Sequence, residues 1–456
     1  MNRRSFLTKV SGSFPLLYFP TPNAFSANDR LQIGAIGVGG KGGSDLQQLA
    51  RHGELVAACD VSTKKLDYAL RDFPFAAKFS DYREMISHMG EKIDVLSIAT
   101  PDHTHAHAAQ LALSRGIHLF VQAPLAHTVW EARQLLQSVK TEKVCTQVGL
   151  QGCASDNFRL AVEYLQAGKL GNIEEIHVWT NRPVWPQSPD VVKRPTELTA
   201  VPDGFNWDAF LGPAEERPYS HVYQPYNWRG WRAFGSGALG DVGVHLLNLP
   251  VLGCSLPGLK KVTSLLVGPV NEETYQAWAT VKYEFANVGK QPDIPLFWYE
   301  GRLGHIDKSL LGMENLPPRD FFLGRPTAPN GCLIRGAKGT LMSPSIFGTK
   351  WEVHLGKKWL PLEKLELSNP ILARNNRGDS GMKEELVTAI RSGKTEKAMA
   401  NFESSYRVNE IAILGNVALL AGGSFEWDSS LCRSNRSDVN DLLTKTYRKG
   451  WSVQSG

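Results

Sequence analysis

The chain has 456 residues, enough for two or three domains with well-buried cores. Its 42% hydrophobic and 21% charged content is that of a soluble globular protein, not of a disordered or fibrous one. The formal net charge of +5 includes Arg3, Arg4 and Lys9 from a segment with no acidic residue, and no Lys/Arg cluster occurs elsewhere. Nucleic acid is therefore not an expected partner.

That first segment, residues 1–26, reads as a targeting signal. "NRRSFLTK" pairs two arginines with a Phe-Leu step, an apolar stretch runs from Val10 to Phe19, and Ala24-Phe25-Ser26 offers a small-residue cleavage site. This is the pattern of a twin-arginine address, so a periplasmic or otherwise exported protein is expected. The apolar stretch is short and broken by Gly12 and Pro15, which argues against a membrane span. Six scattered cysteines form neither a disulfide framework nor a metal-ligand spacing, and no metal is expected.

From residue 28 to 150, short apolar runs alternate with amphipathic ones, the signature of βαβ units around a parallel sheet. "LQIGAIG", "ELVAACD", "IDVLSIATP" and "IHLFVQAP" read as strands buried on both faces. "SDLQQLARH", "TKKLDYALRDF" and "HAHAAQLALSRG" are the intervening helices, and "WEARQLLQSVKTE" leads to the last strand, "VCTQVGL". Residues 151–375 differ in texture. A helix, the strand "IEEIHVWTN" and some fifty Pro- and Trp-rich residues precede the helical "GALGDVGVHLLNLP". Strands "KKVTSLLVG", "AWATVKYEFA", "IPLFWYEG" and "CLIRGAKGTLMS" follow. This is an α+β domain with an open, mostly antiparallel sheet. Residues 376–456 supply closing helices and a tail expected to pack on both domains. The fold class is α/β.

Gly37-Val38-Gly39-Gly40-Lys41-Gly42 has the G-x-G-x-x-G spacing, and here a strand precedes it and a helix follows. Gly37, Gly39 and Gly42 allow a tight turn in which backbone N–H groups meet a pyrophosphate, so a Rossmann cofactor domain is expected. Asp60 ends the second strand, where its carboxylate suits an adenosine ribose and repels a 2′-phosphate. NAD is thus preferred, with Lys64 and Lys65 keeping NADP open. Thr100, Pro101, His103 and His105 in "ATPDHTHAHAA" lie at the carboxyl edge of a parallel strand, where ligands bind. Asp102 reads as the N-cap of the next helix. His103, His105 and His107 do not share one helix face, so capping and loop contacts are favoured over a metal site.

Together, "GVGGKG", "ATPDHTH" and the strand ending "VQAPL" resemble the glucose–fructose oxidoreductase / inositol dehydrogenase (Gfo/Idh/MocA) family. "NIEEIHVWTNRPVWPQ", "NWRGWRAFGSGALGDVGVH" and "YRKGW" resemble its exported, twin-arginine members. The resemblance implies nicotinamide chemistry on sugars or cyclitols, with Gln122 and Pro124 beside the cofactor and a second domain whose sheet pairs in homo-oligomers. The family motif there is Glu-Lys-Pro or Gln-Lys-Pro, its lysine being the proton-transfer group and substrate anchor. This chain has Ala123 at the lysine position, and a methyl group can neither orient a hydroxyl nor stabilise an alkoxide. Leu150 and Cys153 also replace polar residues found in exported members.

The family's second motif is kept as Asp241 and His245, which at i, i+4 share a helix face. His245 is then the expected general acid/base, with its pKa raised by Asp241. Five of twelve tryptophans fall between 179 and 231, where flat rings can stack on a pyranose and Arg182, Tyr223 and Arg229 can bond its hydroxyls. The expected function is an exported NAD(P)-dependent oxidoreductase of a sugar or cyclitol. The competing readings are a pseudoenzyme that binds cofactor or sugar, suggested by Ala123, Leu150 and Cys153, and an NAD-dependent glycosidase.

Overall fold

The computed structural model describes residues 30–286, 292–302, 315–365 and 371–452. The segment 1–26, read above as an export signal, lies outside the described residues.

Six parallel strands build the first sheet: β1 (Leu31–Ile36), β2 (Gly53–Cys59), β3 (Ala77–Phe79), β4 (Val95–Ile98), β5 (His118–Val121) and β6 (Thr146–Val148). Helices α1 (Lys41–Ala50), α2 (Thr63–Ala69), α3 (Tyr82–Met89), α4 (His105–Leu113) and α5 (Val129–Glu142) connect them. The strand order is β3-β2-β1-β4-β5-β6. The order reverses between β1 and β4, and the loops leaving those two neighbours diverge to open a crevice at their carboxyl ends. All four residues of β4 are buried, which explains an apolar run interrupted only by the small Ser97. The short β3 carries no such run and has no counterpart in the sequence pattern. A capping box opens α5: Thr128 accepts the Glu131 N–H while Glu131 reaches back to the Thr128 N–H.

The second domain begins with α6 (Asp156–Gln166), β7 (Ile173–Thr180), α7 (Trp207–Leu211) and α8 (Val244–Gly253). Strands β8 (Leu259–Val267), β9 (Ala279–Phe285), β10 (Ile294–Glu300), β11 (Asn330–Gly336), β12 (Gly339–Ser343), β13 (Glu352–Leu355) and β14 (Lys358–Pro361) follow. With β15 (Ser424–Asp428) and β16 (Arg433–Ser434) they form a ten-stranded sheet ordered β14-β13-β12-β11-β7-β10-β9-β8-β15-β16. All its pairs are antiparallel except β7 with β10. The stretch "CLIRGAKGTLMS" is not one strand: Gly336 and Gly339 pair across Ala337-Lys338 to make the β11–β12 hairpin.

The Trp-rich stretch before α8 builds a small aromatic core of its own from Phe210, Tyr223, Trp231 and Phe234, with Trp207 against it. Helices α9 (Gly378–Ser392) and α10 (Phe402–Ala421) return to the first domain. The former contacts α1 and the ends of β5 and β6, and the latter lies between α5 and α8. The crevice is thereby enclosed by three parts of the chain.

Candidate active site

The glycine turn admits no side chain where it must not. Gly37 follows β1 at φ 75° and donates its N–H to Cys59 O at 2.8 Å. A Cβ on Gly37 would lie 2.6 Å from Ala99 O, and one on Gly42 would lie 1.8 Å from Gly37 O. Glycine alone permits both the left-handed turn and this close helix–strand packing. Asp60 Oδ2 accepts the Val38 N–H (3.0 Å) and Oδ1 the Ser62 N–H (2.9 Å), which fixes the carboxylate under the turn. Gly37, Gly39, Asp60 and Lys65 line a cleft of about 910 Å³ between the domains. A bare glycine cradle at a helix N-terminus beside an anchored carboxylate fits a dinucleotide with a free ribose diol.

The loop after β4 brings Thr100, Pro101, Asp102 and His105 to the same cleft. His105 faces Pro124 O through Nδ1 and Thr100 O through Nε2, both at 2.8 Å, and so sets the loops after β4 and β5 side by side. His103 does not line the cleft. Its ring turns to the carbonyls of Phe234, Phe210 and Leu211 at 3.0–3.2 Å, in the aromatic core. His107 meets the Tyr82 hydroxyl at 2.9 Å. Among the described residues no cluster of three His, Cys, Asp or Glu side chains could hold a metal.

Asp102 is not an N-cap. Its short turn starts after Pro101 and α4 after Thr104, neither end with a side-chain cap. Asp102 is 3% exposed. Burial pushes it up to about 7, against the pull of Arg229 and with the push of Asp241.

Ala123 and Gln122 line the cleft, whereas Pro124 and Gly42 stand behind the lining. Gln122 is held from both sides: its amide donates to Asp45 Oδ2 at 2.6 Å and its carbonyl accepts from Gln151 at 3.4 Å. Leu150 and Cys153 belong to the core, at 2% and 0% exposure, and the Cys153 sulfur accepts the Asn248 amide at 3.1 Å. Their apolar character serves packing and removes nothing from the cleft wall. All six cysteines are free.

From the second domain, Asp241 and His245 enter the cleft, but not as one regular helix face. Leu239–Gly243 is a π-helical turn that only then gives way to α8. Gly240 sits where a Cβ would collide with the Ser236 Cβ at 2.1 Å, so the wide turn needs glycine. Asp241 accepts from Arg229 Nε at 2.7 Å. The Arg229 guanidinium lies over the Trp228 and Tyr226 rings, at 4.3 and 4.4 Å. His245 stands edge-on to Phe347 with ring centres 5.0 Å apart. The expected upward shift of His245 is reversed: burial lowers it to about 4, Asp241 opposing and Lys41 adding. Desolvation outweighs a carboxylate already engaged by Arg229.

Arg182 lines the cleft, while Tyr223 is 1% exposed inside the aromatic core and does not. Of the five clustered tryptophans only Trp228 faces the cleft; Trp179, Trp185 and Trp231 are buried and Trp207 stacks on Phe210. Sequence reasoning also missed Gln151, Gln224 and Tyr226, which come from irregular loops, and Lys41 and Asp379, whose meeting is purely tertiary. Four lining residues keep a buried polar atom without a partner among the described residues: Arg182 Nε, Gln224 Nε2, Gln151 Oε1 and His245 Nδ1.

The fold and the cleft define a two-domain dinucleotide-binding protein. Residues 31–150 match the oxidoreductase-family NAD-binding Rossmann fold, and residues 184–255 the C-terminal alpha/beta domain of the same family. Both matched segments fall to models of the Gfo/Idh/MocA oxidoreductase family, one for each of its two domains. It is 29% identical over 182 residues to levoglucosan dehydrogenase of Pseudarthrobacter phenanthrenivorans, covering 40% of this chain and 37% of the relative. It is 32% identical over 232 residues to a glycosyl hydrolase family 109 protein of Saccharopolyspora erythraea, covering 48% and 43%. The chain thus spans about two fifths of the length of the curated relatives it matches. A solved levoglucosan dehydrogenase, in complex with NADH and levoglucosan, shares the fold with a TM-score of 0.57 at 18% identity, over 87% of this chain and 99% of that one.

Proposed function

We propose that this protein is an NAD-dependent oxidoreductase acting on a hydroxyl or ketone of a sugar or cyclitol. The observation that carries the reading is a single cleft in which the side chains of Arg182, Gln151, Gln224, Asp241 and His245 join the glycine turn and Asp60. Polar side chains spaced around a partly apolar cavity suit a ligand with several hydroxyls. Trp228 and Tyr226, stiffened by Arg229, offer flat faces for the C–H side of a ring.

Bound NAD supplies a hydride acceptor. The chain's own residues do the rest. Gly37 and Gly39 with the start of α1 would hold the pyrophosphate, and Asp60 the adenosine ribose. His245, kept neutral by burial, accepts or donates one hydrogen bond to a substrate oxygen. Arg229 and Asp241 hold each other and fix the floor on which the ring rests. The placement of Leu150 and Cys153 in the core, away from the cleft, weighs against the pseudoenzyme reading, which counted both as lost polar groups.

In the same reading the protein is exported in folded form with its cofactor by the twin-arginine segment, and it acts as a homo-oligomer. Among the described residues no helix is long and apolar enough to cross a membrane. The test is incubation of the full chain with NAD and a panel of sugars, cyclitols and glycosides, followed by mass spectrometry of cofactor and carbohydrate. Oxidised carbohydrate with NADH supports the reading; bound NAD with every carbohydrate unaltered removes it.

A further inference from the structure

The family lysine is missing at Ala123, and His245, the remaining expected acid–base group, is buried, neutral and poorly matched to proton transfer near neutrality. We propose, on the oxidoreductase reading above, that Asp102 is the group that exchanges the substrate hydroxyl proton in place of that lysine. Three features of geometry place it there. Asp102 lines the same cleft as Ala123, Asp241 and His245. It is released from the helix-capping duty that its position after Thr100-Pro101 suggests. The His105 ring, bonded to both Thr100 O and Pro124 O, fixes the loop carrying Asp102 beside the loop carrying Ala123. The neighbouring residue is pinned as well, because the His103 N–H donates to Phe234 O at 3.2 Å.

The charged and titratable groups facing Asp102 are Arg229 and Asp241 on the turns before α8 and Tyr275 before β9, with the Ser236 hydroxyl nearby. Arg229 is itself paired with Asp241, so Asp102 is not locked in an ion pair of its own. In the oxidative direction the carbinol C–H electron pair leaves as hydride to the nicotinamide, and the hydroxyl O–H bond breaks. Its proton bonds to a carboxylate oxygen of Asp102, and C=O forms at the carbon. The neutral carboxyl then returns the proton to solvent. In reduction the same carboxyl starts protonated and donates. Oxidation therefore needs ionised Asp102 and gains with rising pH through about 7, whereas reduction falls over the same interval.

The experiment joins kinetics to a direct readout of the carboxyl. In the unmodified full chain with bound NAD, carboxyl C=O infrared absorption is expected to fall as pH rises through about 7, with Asp102→Asn removing one share of it and Glu300→Gln the other. Asp102→Asn should lower kcat about 100-fold or more, with NAD affinity retained, and flatten the pH profile. Ala123→Lys, which adds a cation to the same cleft, should move both the Asp102 share of the absorption and the kinetic inflection to lower pH. An Asp102→Asn enzyme with unaltered kcat and pH profile overturns the proposal, as does an Asp102 share of the carboxyl absorption that Ala123→Lys leaves in place. Absence of NADH formation by the unmodified chain removes the oxidoreductase reading and this proposal with it. Loss of Asp102 alone is told apart from that outcome by the unmodified chain's own activity.

Discussion

Lys383 Nζ lies 2.6 Å from Asp45 Oδ1, and both side chains are fully buried. Asp379 stands 2.8 Å from the same ammonium, and Lys41 bridges Asp45 and Asp379 at 2.5 and 2.8 Å. The other oxygen of Asp45 accepts the Gln122 amide. This square of charges ties α9 to the glycine helix and to the loop holding Ala123. Burial holds Lys383 below its ordinary value, with Lys41 adding and the two carboxylates opposing only in part.

Removing the buried corner leaves Asp45 and Asp379 sharing one cation, Lys41, so the buried cluster is one charge out of balance. Lys383→Met should lower the unfolding free energy by about 3–5 kcal/mol, measured by urea titration. Lys383→Met with Asp45→Asn should recover part of that loss, because the stranded charge goes as well. A single variant as stable as the parent would show that the square adds nothing to the fold.

Acid should destabilise the protein between pH 6.5 and about 4. Burial lowers His107, His118 and His245 to about 4 and His127 to about 3. The unfolded chain protonates them first, so their contribution is intact above pH 6.5 and is lost as pH falls toward the folded values. Asp102 and Glu300, raised to about 7, act with the opposite sign: their contribution is full at low pH and is lost as pH rises through 7. His118 isolates one share of the effect, because its Nδ1 accepts the Cys145 N–H at 2.9 Å and protonation breaks that bond. His118→Asn should reduce the loss between pH 6.5 and 4 by up to roughly 3 kcal/mol. An unaltered pH slope in urea unfolding would exclude His118 as a contributor.

The cofactor half of the cleft was legible in sequence because its determinants are local. A glycine spacing between a strand and a helix, and an acidic residue ending the next strand, both follow from βαβ geometry. The substrate half was not, because tertiary packing decided it. The periodicity of "GALGDVGVHLLNLP" reads as one helix, yet a π-helical turn shifts Asp241 relative to His245 and hands it to Arg229. Likewise a run of tryptophans looks alike whether it faces a sugar or a core, and only Trp228 faces the cleft. Asp102 was visible as a residue but not as a chemical group, since the groups that act on it, Arg229, Ser236 and Asp241, are more than a hundred positions away.

Arg182 lines the cleft and forms no ion pair among the described residues, in contrast to the paired Arg229. A planar donor of this kind should bond a substrate oxygen equally in ground and transition states. Arg182→Gln is therefore expected to raise KM about 10-fold while kcat stays within about 2-fold, a signature of uniform binding. If kcat falls and KM is unaltered, Arg182 acts on the reaction and not on substrate capture.

Asp60 should decide between the two nicotinamide cofactors. Its carboxylate is fixed by the Val38 and Ser62 N–H groups, so it cannot swing away from a 2′-phosphate at the ribose it faces. Cationic Lys65 lies close by, its Nζ only 3.5 Å from where a Cβ on Gly39 would stand. Asp60→Asn keeps one carbonyl acceptor for the turn and removes the negative charge. NADH affinity is expected to fall about 10-fold as the ribose diol loses a charged acceptor, and NADPH affinity to rise by a similar factor as Lys65 becomes unopposed. Fluorescence titration of both reduced cofactors reads the two changes separately. A loss for both cofactors alike would mean that Asp60 only supports the turn, and that discrimination lies elsewhere in the cleft.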